Sequence, residues 1–177
     1  MNKTVLVSLC FAWGPLLSYA QQSPPNPIVG SARPLHEQVR GYIVRSVDQM
    51  PEEHYGFQPT PDVRTFGQLI AHIANTQYLF CSAALGEQNP DARDFEKSHT
   101  TKAMLTEAIQ ASFKYCDRAY AMPDDQATRW QAIKGWGDRA PLSILILNIG
   151  HNNEHYGNIV TYMRLKGLVP PSSQPRK

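Results

Sequence analysis

The sequence predicts an all-α protein folded as a four-helix bundle. Four segments place apolar residues at the 3–4 spacing of a buried helical stripe. Proline, glycine or a capping residue punctuates each of them. One connector, between the second and third segments, is long enough to cross the bundle, and no β-hairpin signature or internal repeat is present.

The first twenty of the 177 residues stand apart. Lys3 gives a basic start, Val5 to Leu17 an apolar region, and Ser18-Tyr19-Ala20 a small-x-small cleavage site. That pattern predicts a secretory signal peptide cleaved near Ala20, and a secreted or periplasmic protein without stable membrane insertion once the leader is removed. Residues 21–34 hold Pro24, Pro25, Pro27 and Pro34 and read as an extended, Pro-rich linker. The bundle is then expected over 35–172, with a disordered tail at 173–177.

The first helix is expected from Leu35 to Gln49, with Leu35, Val39, Tyr42, Ile43, Val47 and Met50 as its stripe and Pro51 as its stop. The second opens on a capping box, Thr65-x-x-Gln68, and closes at Gly86. Phe66, Leu69, Ile73, Leu79, Phe80 and Ala83 mark its buried side, and His72 lies on the inward edge. Glu87 to Ser98 is a polar connector. At that length it spans roughly 40 Å when extended, more than the roughly 30 Å of a 20-residue helix, so it allows helices two and three to run parallel. The third helix is expected over Thr100 to Ala121, with Leu105, Ile109, Phe113, Cys116 and Tyr120 buried. Met122 to Ala140 reads as a structured loop with a short helical or extended turn, its Trp130 and Trp136 expected to cap one end of the core, with lining a pocket as the alternative. The fourth helix opens at Pro141 and ends at Lys166-Gly167.

Charge narrows the function. Seventeen Lys and Arg face fifteen Asp and Glu, and removing the leader with Lys3 leaves 16 against 15. So even a balance supplies no electrostatic footprint for nucleic acid or an anionic membrane surface. Two cysteines remain after the leader, Cys81 and Cys116, each 16 residues beyond the threonine that opens its helix. With helices two and three parallel they reach similar heights, and export permits a disulfide between them. Two buried free thiols are the alternative.

The chemistry concentrates in helix four. His151 and His155, four apart, project from one face with Asn148, Asn152, Asn158, Ile159 and Tyr162. A core-facing patch of imidazoles and carboxamides is costly unless satisfied. A divalent metal shared with His72 would satisfy it and leave positions open for water or substrate. Asn148, Asn152, Asn75 and Tyr156 are candidates for contact with the ligands or the substrate. His36, His54 and His99 fall at helix ends or in loops and read as solvated. His151-Asn-Asn-Glu154-His155 also matches the H-x-x-E-H protease pattern, but no acidic residue follows His155 and Glu154 lies off the ligand face. That match is coincidental.

Two blocks together carry a resemblance. The first is Arg64-Thr-Phe-Gly-Gln-Leu-Ile-Ala-His72-Ile-Ala74. The second is His151-x-x-x-His155-Tyr156-Gly157, continued by Tyr162-Met-Arg-x-x-Gly167-Leu-Val-Pro170-Pro171. In these the chain resembles the DinB-like superfamily of metal-dependent four-helix-bundle proteins, over about Leu35 to Ser172. The resemblance implies up-down-down-up order and a divalent metal, commonly zinc or nickel, on His72, His151 and His155. It implies a small-molecule activity, since characterised relatives include thiol S-transferases and a thiol-dependent isomerase, with hydrolases suspected. It implies neither DNA polymerase nor direct DNA-repair activity. The export signal is a departure, because small thiol cosubstrates are chiefly cytoplasmic. Related bundles often pair as homodimers, though no seam here marks such a surface. The alternative function is a metal-binding or structural bundle without turnover.

Overall fold

A computed structural model describes residues 26–175. The expected signal peptide, its cleavage site and the first residues of the expected linker lie outside them. Four long helices form the bundle: α1 (Pro27–Gln49), α2 (Phe66–Leu85), α4 (Lys102–Ala119) and α6 (Pro141–Leu165). Two single-turn helices, α3 (Phe95–Ser98) and α5 (Asp124–Ala127), sit in the connections. So does a hairpin of β1 (Gln131–Ile133) and β2 (Gly137–Arg139).

Side-chain contacts fix the directions. Lys102 Nζ, at the start of α4, donates to the carbonyls of Asp48 (2.9 Å) and Met50 (2.8 Å) at the end of α1. Those two helices are antiparallel. The α2 and α4 starts meet at Gly67, where a Cβ would come within 3.3 Å of Leu105 Cδ1, and their ends are joined by the Cys81–Cys116 disulfide. They run parallel, as the long connector allows. Tyr162 bonds back to the Arg64 carbonyl and Asn148 to Gln77, so α6 is antiparallel to α2. The order is up-down-down-up.

Local signals explain most helix ends. The Thr65–Gln68 capping box forms in both directions, at 3.2 and 2.9 Å. Thr101 caps α4 by accepting from Met104 N–H. At the end of α6, Leu168 N–H reaches the Met163 carbonyl and Gly167 N–H that of Arg164, the paired bonds of a Schellman stop.

Several expectations are corrected. The linker is helical from Pro27, so α1 begins eight residues before Leu35. Pro27 occupies a first-turn position where no N–H is required, and the Asp124 carboxylate accepts from Ile28 and Val29 N–H at 2.9 Å each. Pro34 lies inside the helix on an exposed face, and the Gly30 carbonyl it leaves unserved is at an exposed residue too. Leu35 is therefore mid-helix and exposed, not the first core residue. Leu79 is also exposed rather than buried. The tail is partly built: Pro171–Ser173 form a 3₁₀ turn, and Gln174 bonds to Gln49 and the Val169 carbonyl. A small hairpin exists where no hairpin signature is read from the sequence, with Gly135 and Gly137 taking the positive φ its turn needs (80° and 75°). Trp136 packs on Phe80 at 5.4 Å between ring centroids and covers the core end as expected, whereas Trp130 is exposed.

His36 is the largest surprise in the core. The earlier start of α1 puts it in mid-helix, 1% exposed and stacked on Tyr120 at 3.9 Å between ring centroids. Neither ring nitrogen has a hydrogen-bond partner among the described residues. Burial, reinforced by nearby Arg40, pushes its pKa down to about 4, so the ring is neutral at pH 7. Below the ordinary 6.5 the unfolded chain takes up a proton that the folded chain refuses. Stability held above pH 6.5 is therefore lost as pH falls toward 4, by up to about 3 kcal/mol from this one group. In urea melts the stability of wild type relative to His36→Phe should fall as pH drops from 7 to 4; a difference that does not change with pH would contradict the assignment.

Candidate metal centre

His72 projects from the middle of α2, and His151 and His155 from successive turns of α6. Antiparallel packing sets them opposite one another. His151 Nε2 lies 3.2 Å from His72 Nε2 and 3.0 Å from His155 Nε2. One donor atom from each ring falls within 4.8 Å of the others. His155 is buried and the other two half-buried.

The three nitrogens crowd one point. His151 Nε2 faces both partners, and a single proton there can satisfy only one of them. Burial is the main force lowering all three pKa values, and for His151 and His155 it takes them to about 4, with neighbouring imidazoles and Arg64 contributing. Neutral rings offer lone pairs, which a metal requires. Two nitrogens bound tetrahedrally at zinc distances would be about 3.3 Å apart, close to the separations seen. The donor set and spacing fit one divalent ion.

The outer nitrogens differ. His72 Nδ1 lies 3.2 Å from Glu96 Oε1, and Glu96 Oε2 accepts from Arg64 Nε at 3.0 Å. His155 Nδ1 has Asn158 Nδ2 at 3.5 Å, and His151 Nδ1 is buried without a partner among the described residues. A pocket of about 820 Å³ opens beside His155, walled by Pro59, Val63, Leu69 and Tyr162, with Glu96 and Glu154 at its polar side. Glu154 is exposed, as its helix position predicts, and stands on this pocket rather than among the three histidines.

The other candidates lie elsewhere. Asn148 and Asn152 are fully buried in a polar seam behind the histidines. Asn152 donates to Asn148 Oδ1 (3.2 Å), and Asn148 donates to Gln77 Oε1 (3.0 Å). Tyr156 stacks on Tyr42 and exchanges hydrogen bonds with Ser172, a packing role. Asn75 grips the α2–α4 connector. His54 and His99 are half-buried, outside the cluster. Sequence reasoning missed Glu96, because nothing in a polar connector distinguishes one carboxylate from the next.

The chain is thus a helical bundle that sets a histidine on one helix against an i, i+4 pair on an antiparallel neighbour, an arrangement that could hold a metal ion. A profile of the DinB superfamily matches residues 35–159, and the chain belongs to that superfamily. Solved structures agree on the fold. A DinB-like protein from Bacillus cereus ATCC 10987 is 17% identical with a TM-score of 0.69, covering 80% of this chain and 95% of its own. One from Bacillus subtilis is 19% identical with a TM-score of 0.64, covering 82% and 99%. A conserved protein from Enterococcus faecalis is 17% identical with a TM-score of 0.63, covering 78% and 96%. Among curated proteins none matches the chain.

Proposed function

We propose that this protein is an exported, divalent-metal-dependent enzyme, hydrolytic or group-transferring, acting on a small molecule. The observation that carries the reading is the convergence of His72, His151 and His155 Nε2 beside an open pocket. All-nitrogen ligation suits zinc or nickel better than magnesium or calcium, which take oxygen donors. Once bound, such an ion acts as a Lewis acid that polarises a substrate group and lowers the pKa of water toward 7. The chain's own contributions surround it. Pro59, Val63, Leu69 and the Tyr162 ring give substrate an apolar wall, and Gln68 and Asn158 offer polar contacts at the same pocket. Export is supported by the leader pattern at 1–20 and by a disulfide, which persists in oxidising compartments.

Protein prepared without a His-tag should carry one zinc or nickel ion per chain by elemental analysis. Chelation should remove both the ion and any activity found in a screen of hydrolytic and transfer substrates. Protein that takes no divalent ion sinks the reading. A bound ion with no exchangeable coordination position would favour a structural bundle instead.

A further inference from the structure

We propose that Glu96 is a positioning residue of the metal centre, and that the connector between α2 and α4 is folded to hold it. The inference rests on the metal reading above. A carboxylate that accepts Nδ1–H fixes the imidazole as the tautomer whose Nε2 carries the lone pair, and makes that nitrogen a better donor. Glu96 stands at this position for His72, and its second oxygen is held by Arg64. Neither His151 nor His155 has a carboxylate on its outer nitrogen among the described residues. Of the three rings, His72 also comes from a different helix, so its aim sets whether the α6 pair becomes a three-point site.

The connector's anchors bracket Glu96. Asn75, one turn beyond His72, donates from Nδ2 to the Arg93 carbonyl (2.6 Å) and accepts Phe95 N–H on Oδ1 (3.0 Å). One carboxamide thus clamps both sides of Asp94. Phe95 then plugs the core, 1% exposed and edge-on to Tyr78. The Asp94 carbonyl accepts from Lys97 and Ser98 N–H, winding the single turn of α3. A four-residue helix has no stability of its own, so these contacts determine where Glu96 points. They also give Asn75 its role: its side chain acts on His72 through the connector, bonding to Arg93 and Phe95.

The test uses the full exported chain with Glu96→Ala, Glu96→Gln and Asn75→Ala. Zinc affinity is read by competition with a chromophoric chelator, and the His72 tautomer in metal-free protein by ¹⁵N NMR. Glu96→Ala should weaken zinc binding about 10–100-fold, with the thermal midpoint of the metal-free protein unchanged. Glu96→Gln, which keeps an acceptor without the charge, should recover part of that loss. Asn75→Ala should weaken binding in the same direction. In wild type His72 should carry its proton on Nδ1, and in Glu96→Ala the ring should redistribute toward Nε2–H. Equal affinity in Glu96→Ala, or an Nε2–H ring in wild type, overturns the inference. Wild-type protein that binds no zinc overturns the metal reading instead, a result distinguishable from the first two.

Discussion

Replacing His151 by alanine is expected to abolish tight metal binding while leaving the bundle folded. Its Nε2 lies 3.2 Å from that of His72 and 3.0 Å from that of His155, so its loss removes the donor between the other two and leaves only two ligands. Structural zinc sites with four ligands bind with about 10–16 kcal/mol. The share of one ligand is then on the order of 3–4 kcal/mol, or about 10²–10³-fold in affinity. The fold should tolerate the change. His151 is half-buried and, besides the other two histidines, packs against Phe80 at 5.3 Å between ring centroids. Alanine is also the best helix former. A ligand that binds only the native state raises stability by about 4 kcal/mol at a thousandfold excess over Kd. Saturating zinc should therefore raise the thermal midpoint of wild type and of a His54→Ala control, but not of His151→Ala. A variant that retains one equivalent of metal at wild-type affinity would show that the cluster is not the site.

How much of this was legible in the sequence depends on how local each determinant is. The capping box of α2, the i, i+4 pair of α6 and the glycine stop after Lys166 are encoded within a few residues, and all appear as expected. The start of α1 is not local. Its first turn is completed by Asp124, 95 and 96 positions away, and without that carboxylate a proline-rich stretch reads as extended chain. His36 was misplaced for the same reason, since a helix assumed to begin at Leu35 puts it at an exposed end. The site divides in the same way. The three histidines follow from spacing plus bundle geometry. Glu96 depends on the path of the sixteen-residue connection between α2 and α4, whose course is set by Asn75 and Phe95. Asn148 and Asn152 are inward as expected but meet other neighbours than expected, whereas Asn158, expected on the same face, is exposed. Periodicity gives a side chain's direction, not which partner helix meets it.

The disulfide should be the largest single contributor to stability outside the apolar core. Cys81 and Cys116 have Cα atoms 5.3 Å apart, inside the range a bridge requires, and both side chains are fully buried. Closing a loop of 35 residues restricts the unfolded chain by about 4 kcal/mol on the chain-entropy account. The bridge ties together the ends of α2 and α4, the one pair of bundle helices joined in parallel through a long connection. A short turn would have held a sequential antiparallel pair together with little loop entropy to overcome, and here the covalent link replaces it. Polar groups press against it as well: Asn148 Nδ2 lies 3.6 Å from Cys81 Sγ, and Gln77 and Tyr120 complete the surroundings. The double variant Cys81→Ala, Cys116→Ala should lose about 4 kcal/mol in urea melts, or roughly 8–16 °C in thermal midpoint for a chain of this size. Zinc affinity of the folded fraction should be unchanged, because the bridge lies more than two turns of α2 from His72. Native protein should also resist dithiothreitol until denatured, since neither sulfur is exposed. A double variant within about 1 kcal/mol of wild type, or rapid reduction under native conditions, would show that packing alone holds α2 and α4 in register.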